Sequence, residues 1–251
     1  RLKFNGSGLL VGVDADVGEH VRIGGVLGAS QSSIRVDQRA SDGHDKATWL
    51  GVYGSAATGS VHWRAGLAYA REKLESNRHL GMAGLAGNAG ADPDGHTEQV
   101  WVEGTLPFVG AHGRVAPFLN LAHVRVNTDG WREGGSAAAL QGENSKAKAS
   151  LATLGVRGVR NLGSADRPIH LRGSVGWRQS FGSDTPRATM RLDGSAPFTV
   201  YGLPLAKHAL AVQAGLDFAI SGQASFDLGY SGQFASDARD QGAHMTLKIG
   251  F

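Results

Sequence analysis

The stretch HMTLKIGF, residues 244–251, decides the fold. Its apolar residues Met245, Leu247, Ile249 and Phe251 occupy every second position, and polar or small residues lie between them. Successive side chains of a β-strand point to opposite faces, so this alternation predicts a strand with one apolar and one polar face. A helix would instead repeat its apolar residues every three to four positions.

The same period of two recurs along the whole chain, whereas helix-period stripes are almost absent. Most of the alternating segments hold the roughly 9–11 residues with which a tilted strand crosses a bilayer. Eleven strands are predicted, at about 2–14, 21–36, 47–56, 61–76, 96–106, 114–127, 146–160, 168–181, 207–220, 223–235 and 242–251.

Composition narrows the classes of protein that the chain can belong to. The absence of cysteine excludes disulfides, thiol catalysis and cysteine metal sites. The formal charge of +3 is spread along the chain without a dense basic run, which favours solvated or pore-lining charges over a nucleic-acid partner. No apolar run approaches the roughly 20 residues of a membrane helix, but a membrane-spanning strand is apolar on one face only and needs none.

The connections between the predicted strands alternate between short and long. The short ones are 15–20, 57–60, 107–113, 161–167 and 221–222, and the long ones are 37–46, 77–95, 128–145, 182–206 and 236–241. Outer-membrane barrels have short periplasmic turns and long extracellular loops. The pattern therefore predicts an all-β fold, a transmembrane antiparallel up-and-down β-barrel whose 38 glycines ease closure of the sheet.

The strand count raises a question of parity. If the long connections are extracellular, the last strand descends to the periplasm at Phe251, and counting back makes the first of eleven strands descend as well. Single-chain bacterial barrels have an even strand number. We therefore expect an ascending first strand, and the loop after it, to precede Arg1. A further hairpin within 182–206 would add two strands and leave the count odd.

Several segments resemble the C-terminal translocator domain of type Va autotransporters, and they cover nearly the whole chain in the right order. These segments are GLLVGVDADVG (8–18), RAGLAYAR (64–71), VAPFLNLAHVRVNTDGWREGGSAAAL (115–140), LATLGVRG (151–158), GSVGWRQSFGSDTP (173–186), FTVYGLPLAKHALAVQAGLDFAI (198–220) and LGYSGQFASDARDQGAHMTLKIGF (228–251). The resemblance implies a twelve-stranded outer-membrane barrel, about eleven strands of which lie in residues 1–251. It also implies a role in secreting and anchoring an N-terminal passenger by type V secretion in a Gram-negative cell.

The resemblance further implies partners and an assembly signal. The partners would be outer-membrane lipid and lipopolysaccharide, the barrel assembly machinery, and the chain's own upstream passenger and pore helix, with the barrel itself a monomer. The terminal alternation of Met245, Leu247, Ile249 and Phe251 resembles the signal that this machinery recognises. An ordinary amphipathic strand that ends the chain is the alternative interpretation.

The polar strand faces supply the candidate site. Eight charged residues fall on these faces and are predicted to line a hydrated lumen, where water lowers the cost of placing charge. They are Arg64, Glu103, Arg157, Arg172, Arg178, Asp217, Asp227 and Lys248. Two roles remain open at this point, namely the passage of an unfolded chain and stabilisation of the barrel alone. Trp49, Trp63, Trp101, Trp131, Trp177, Tyr53 and Tyr69 are candidates for interfacial girdles, although Trp101 falls on a polar face.

Catalytic and cofactor motifs are not found in the sequence. The ten histidines form no metal-binding pattern, and neither a nucleophile elbow nor a nucleotide-binding glycine loop is present, so no enzyme activity and no cofactor is expected. Asp217, Asp227, His208 and His244 could meet across adjacent strands, which keeps a rim-site enzyme as a minor alternative. A small diffusion channel is the other alternative.

Overall fold

The computed structural model describes residues 2–36, 41–80, 87–136, 138–164, 168–182 and 185–250. Within these ranges no helix is long and apolar enough to span a membrane. The strands, in chain order, are β1 (Leu2–Asp16), β2 (Val21–Val36), β3 (Ser41–Thr58), β4 (Val61–Leu80), β5 (Gly87–Ala91), β6 (Asp94–Thr105), β7 (Phe108–Gly110), β8 (Gly113–Thr128), β9 (Trp131–Arg132), β10 (Leu140–Gly142), β11 (Ser145–Asn161), β12 (Ile169–Phe181), β13 (Arg187–Leu192), β14 (Phe198–Tyr201), β15 (His208–Ala219), β16 (Ala224–Phe234) and β17 (Arg239–Ile249).

Eleven long strands form one antiparallel sheet, here called the wall, and they are the eleven strands predicted from the sequence. Their order is β1-β2-β3-β4-β6-β8-β11-β12-β15-β16-β17, so each wall strand pairs with its neighbours along the wall. The short strands β5 and β7 pair with β4 and β8 beside this path. The ladders confirm the predicted up-and-down antiparallel order.

The prediction that short and long connections alternate strictly was wrong for two of the connections. Two connections predicted as long are shorter than predicted, because β3 begins at Ser41 within 37–46 and β17 begins at Arg239 within 236–241, while residues 37–40 lie outside the described ranges. The physical reason is that β3 pairs with β2 from Ser41 onwards and β17 pairs with β16 from Arg239 onwards, so the ladders continue into the expected loops. The longest connections still share one end of the wall.

A second, smaller sheet lies at that end, and we call it the loop sheet. It has the order β14-β13-β10-β9 and is built from the two longest connections. The possible hairpin within 182–206 therefore exists as β13 and β14, but it joins the loop sheet and not the wall. An isolated bridge between Gly90 and Gly134 connects β5 to the segment after β9.

The two faces of the wall differ in composition and in surroundings. One face, the outer face, carries exposed apolar side chains such as Leu67, Val100 and Leu154. The other, the inner face, carries Glu103 and Asp227, which are almost fully buried. Because exposure of apolar side chains to water is unfavourable, the outer face is suited to contact lipid.

The wall is curled with its inner face on the concave side. Arg157 on β11 reaches Glu103 on β6 although β8 lies between them, and Arg178 on β12 reaches Gln233 on β16 across β15. Strands two apart in a flat sheet are separated by about 9–10 Å. Curling brings their inner side chains together and makes these contacts possible.

Candidate functional site

The first group of inner-face residues surrounds Glu103 and is called the Glu103 cluster. Arg64 Nη2 lies 2.5 Å from Glu103 Oε1, and Arg157 Nη2 donates to Glu103 Oε2 at 2.8 Å. Thr105 Oγ1 donates a third hydrogen bond at 3.2 Å. The guanidinium of Arg157 also lies over the Phe118 ring, 4.3 Å from its centroid. One buried carboxylate is thus held between two arginines, and the group carries a net positive charge.

The second group, the Asp227 cluster, has the opposite balance. Arg172 Nη2 forms an ion pair with Asp227, and Arg172 Nε lies 2.5 Å from Asp217 Oδ2 without the alignment of a hydrogen bond. Asp217 and Asp227 are direct partners in the β15–β16 ladder. His244 Nε2 approaches Asp227 Oδ1 at 3.4 Å. A single guanidinium therefore serves two carboxylates.

The last two of the eight predicted residues are placed differently. Arg178 Nη1 donates to Gln233 Oε1 at 2.6 Å, and its Nε donates to Thr153 Oγ1 at 3.4 Å. Lys248 lies opposite Ser225 in the β16–β17 ladder and is exposed, with no ion pair to any residue in the described ranges. The structure brings seven of the eight charges into polar contacts and leaves Lys248 apart.

Aromatic side chains cover glycines on the inner face, which corrects part of the girdle prediction. Tyr53 lies over Gly24 and donates to Asp14 Oδ2 at 3.0 Å, so it is not a girdle residue. A Cβ added at Gly66 would lie 2.7 Å from Trp101 Nε1, so only glycine lets that indole lie against the sheet. Trp49 also faces inward, because its Nε1 donates to Ser30 on β2 at 2.8 Å. Trp63, Tyr69 and Trp177 are exposed on the outer face, while Trp131 belongs to the loop sheet.

A partly buried ion pair that the sequence did not reveal ties the wall to the loop sheet. Arg78 on β4 contacts Glu133 through two atoms, Nε at 3.1 Å and Nη2 at 2.5 Å. Glu133 also accepts a hydrogen bond from the backbone N–H of Leu140 at 2.8 Å. The signal available was the WREGG stretch at 131–135, which belongs to the family resemblance but does not identify Arg78 as the partner.

The predicted assembly residues share one face of the last wall strand. Met245, Leu247 and Ile249 are exposed on β17, and Phe251 lies outside the described residues. In the ladder they stand opposite Leu228, Phe226 and Ala224. Their apolar side chains thus extend the outer face to the edge of the wall.

The Asp/His grouping considered for an enzyme is divided by the wall. His208 faces outward next to Trp177, with ring centroids 5.4 Å apart, whereas Asp217 and Asp227 face inward. Only His244 approaches an inner carboxylate, and Arg172 already occupies that carboxylate. Among the residues described, no group of three or more His, Asp or Glu side chains could hold a metal ion.

Comparison with known sequences identifies a matching family model and two curated relatives. A family model described as the autotransporter beta-domain matches residues 1–231. Two extracellular serine proteases of Serratia marcescens are each 27% identical over 245 residues, which is 97% of this chain and 23% of each relative. The chain thus spans about a quarter of the length of these relatives.

Solved structures of low sequence identity share the fold. The translocator domain of the autotransporter NalP from Neisseria meningitidis has a TM-score of 0.82 at 17% identity, covering 100% of this chain and 81% of that one. The beta domain of the Bordetella autotransporter BrkA has a TM-score of 0.71 at 18% identity, with coverages of 100% and 92%. The transport unit of AIDA-I from Escherichia coli has a TM-score of 0.67 at 14% identity, with coverages of 100% and 84%.

Proposed function

Because the chain belongs to the autotransporter β-domain family, we propose that it inserts in the Gram-negative outer membrane and supports secretion of an N-terminal passenger to the cell surface, where it anchors that passenger. The observation that carries this function is the curled antiparallel wall with an apolar outer face and a charged inner face. Such a wall satisfies its backbone hydrogen bonds between strands, which is what a bilayer demands of a spanning sheet.

A whole-cell experiment tests this function. An epitope placed in the passenger should react with antibody on intact cells that express the complete precursor. Replacing Leu228, an exposed outer-face residue, by Lys should reduce the surface signal because a charge at mid-bilayer depth destabilises a barrel by roughly 2–4 kcal/mol. A matched Lys at Ser231, on the inner face of the same strand, should retain it. An epitope that stays inaccessible in the unmodified precursor would contradict the function.

We also propose that a strand from sequence before Arg1 completes the wall. Within the described residues, β1 and β17 each have one ladder partner and no ladder joins them. Unpaired strand edges are not tolerated in hydrocarbon, so a twelfth strand between β1 and β17 would satisfy both edges and give an even count. The barrel would then be complete with both of its ends periplasmic and its longest loops outside.

Engineered cysteines test this closure cleanly, since the chain has none of its own. A cysteine in the upstream strand should form a disulfide with a cysteine at Val11 in one variant and at Leu247 in another. Direct bonding between cysteines at Val11 and Leu247, with the upstream strand left out, would contradict the proposal.

The inner-face charges are proposed to line a hydrated passage around the pore helix and the passenger. Five cations and three anions make up this set, so its net charge is positive. In a barrel freed of its pore helix, Lys248→Glu should shift the ion preference of the conducting pore towards cations. Arg160→Glu, a change at an exposed outer-face residue, should leave it unchanged. Equal shifts in the two variants would contradict a lumen position for Lys248.

A role in assembly is proposed for the terminal apolar residues. Phe251→Ala should lower the amount of barrel assembled in cells while leaving refolding in detergent unchanged, because the barrel assembly machinery would act only in cells. Equal amounts of assembled barrel in cells that express the unmodified chain and in cells that express Phe251→Ala would contradict this role.

We further propose that the domain is not an enzyme, since Arg172 and not a free histidine occupies the buried Asp227.

A further inference from the structure

Two pairs of like charges face each other across neighbouring wall strands on the outer face. Lys46 on β3 is the direct ladder partner of Lys73 on β4, and Arg125 on β8 is the direct partner of Lys148 on β11. All four side chains are exposed. Like charges directly opposite in a ladder destabilise a sheet, so two such pairs need a compensating interaction.

The two pairs lie at the same height on the wall. Each is about twelve residues from the nearest short turn, which at about 3.3 Å per residue is about 40 Å along the strand. A strand tilt of roughly 35–45° converts this to a height of about 30 Å, just above an apolar band about 25 Å tall. The exposed residues below them include Leu50, Leu67, Val100 and Leu121. The pairs therefore mark the boundary of the apolar band at the long-loop end.

The opposite boundary of the outer face has no such like-charged pair among the described residues, because Arg160 there stands opposite Gly113 and Leu171. Near the short turns it carries Val17, Phe108, Val109, Leu162 and Ile220, all exposed. The asymmetry means that the two leaflets of the membrane would meet different surfaces.

Neighbouring carboxylates neutralise only part of the positive charge. Lys46 Nζ lies 2.9 Å from Glu75 Oε1, and Arg125 Nη1 lies 3.5 Å from Glu98 Oε2. Lys73 stands opposite Asp94 in the ladder but forms no ion pair with it. Within the described part of the chain, Lys73 and Lys148 have no ion-pair partner, and neither do Arg71 and Lys146 next to them. Each like-charged pair thus retains one free cation beside a neutralised one.

We propose that each pair binds a phosphate group of a phosphorylated glycolipid, lipopolysaccharide, in the outer leaflet. The acyl chains would lie on the apolar band below, and the headgroup phosphate would lie between the two opposed cations. Juxtamembrane Lys and Arg residues attract anionic lipid headgroups. This assignment rests on the outer-membrane location in the proposed function and adds a specific lipid-facing site to it.

Lipid binding by the complete barrel, prepared with its upstream strand, tests the site. The test variant is Lys73→Gln combined with Lys148→Gln, and the matched control is Arg160→Gln at the other end of the outer face. Phosphatidylcholine vesicles would contain lipid A with both phosphates, lipid A freed of its phosphates, or no lipid A with inorganic phosphate in solution. The readouts are the bound lipid A by native mass spectrometry and the midpoint of urea unfolding.

At each pair, the double variant should bind phosphorylated lipid A about fivefold more weakly than the unmodified barrel, because each pair loses one headgroup contact. Without lipid phosphate, its unfolding midpoint should equal or exceed that of the unmodified barrel because the repulsion is removed. The site would be overturned if the double variant lost as much affinity for dephosphorylated lipid A as for phosphorylated lipid A, or if Arg160→Gln lost as much affinity as the double variant. It would also be overturned if inorganic phosphate stabilised the unmodified barrel as much as phosphorylated lipid A does. Surface display of the passenger is measured separately in cells, so failure of the proposed function is distinguishable from failure of this site.

Discussion

The Glu103 cluster and the Asp227 cluster both bury a carboxylate on the inner face, but they balance its charge in opposite ways. Glu103 receives two guanidinium groups, from Arg64 and Arg157. Asp227 shares one guanidinium with Asp217, its direct ladder partner. A carboxylate between two cations tolerates the loss of either one, whereas two carboxylates around one cation depend on it. From this difference we expect the loss of Arg172 to lower the stability of the barrel more than the loss of Arg64 or Arg157.

Among changes within the two clusters, the largest loss of stability is therefore expected from Arg172→Gln. This change leaves Asp217 and Asp227 facing each other without their shared guanidinium. Breaking a buried ion pair from one side costs about 3–5 kcal/mol. Water reaching the inner face screens the remaining charges, so we expect the free energy of unfolding to fall by about 2 kcal/mol. Urea unfolding in phospholipid vesicles, followed by tryptophan fluorescence, measures it.

Arg178→Gln is the matched control for that experiment, because Arg178 lies on the same strand and face but donates to Gln233 and Thr153 and forms no ion pair with a carboxylate of the described residues. Arg178→Gln should lower the free energy of unfolding clearly less than Arg172→Gln, by about 1 kcal/mol, because the side chains that lose their partner are neutral and water at the inner face can hydrogen-bond to them. Equal losses in the two variants would show that the shared guanidinium has no special role.

The second prediction exchanges the two buried carboxylates for amides. Glu103→Gln leaves Arg64 and Arg157 without their common anion and should cost about 1–2 kcal/mol. Asp227→Asn should cost less, below about 1 kcal/mol, because Arg172 keeps Asp217 and the repulsion between the two aspartates disappears. The same unfolding measurement checks both, and a larger loss in Asp227→Asn would reverse the comparison.

The sequence predicted these residues but not their partners. Alternation with a period of two places Glu103, Arg157 and Arg172 on polar faces, and the structure puts all three in the two clusters. Which arginine meets which carboxylate depends on the curl of the wall, since Arg157 crosses β8 to reach β6. A periodic pattern has no information on curvature, so it could not supply that contact.

The sequence pattern could not predict which way a side chain points where neither face of the strand is polar. Tyr53 lies in GVYGSAA, where small residues flank it on both faces, and the alternation therefore gave no sign that it points inward to Asp14. The loop sheet was missed for a different reason. Its strands β9, β10 and β14 contain only two to four residues each, too few for any period to be visible.

The smallest predicted effect concerns the Phe118 ring beneath Arg157. Among the described residues, the Glu103 cluster has such a ring and the Asp227 cluster does not. The two single changes Phe118→Leu and Arg157→Gln, together with the double change, form a thermodynamic cycle. A cation–π contact of this kind is worth about 0.5–1 kcal/mol, so the cycle should give a coupling energy of that size. Phe118 also packs over Gly155 and Gly176, which makes the single change costly by itself, and the cycle cancels that cost. A coupling energy near zero would mean that Arg157 is held by Glu103 alone and that the ring only fills space above the glycines.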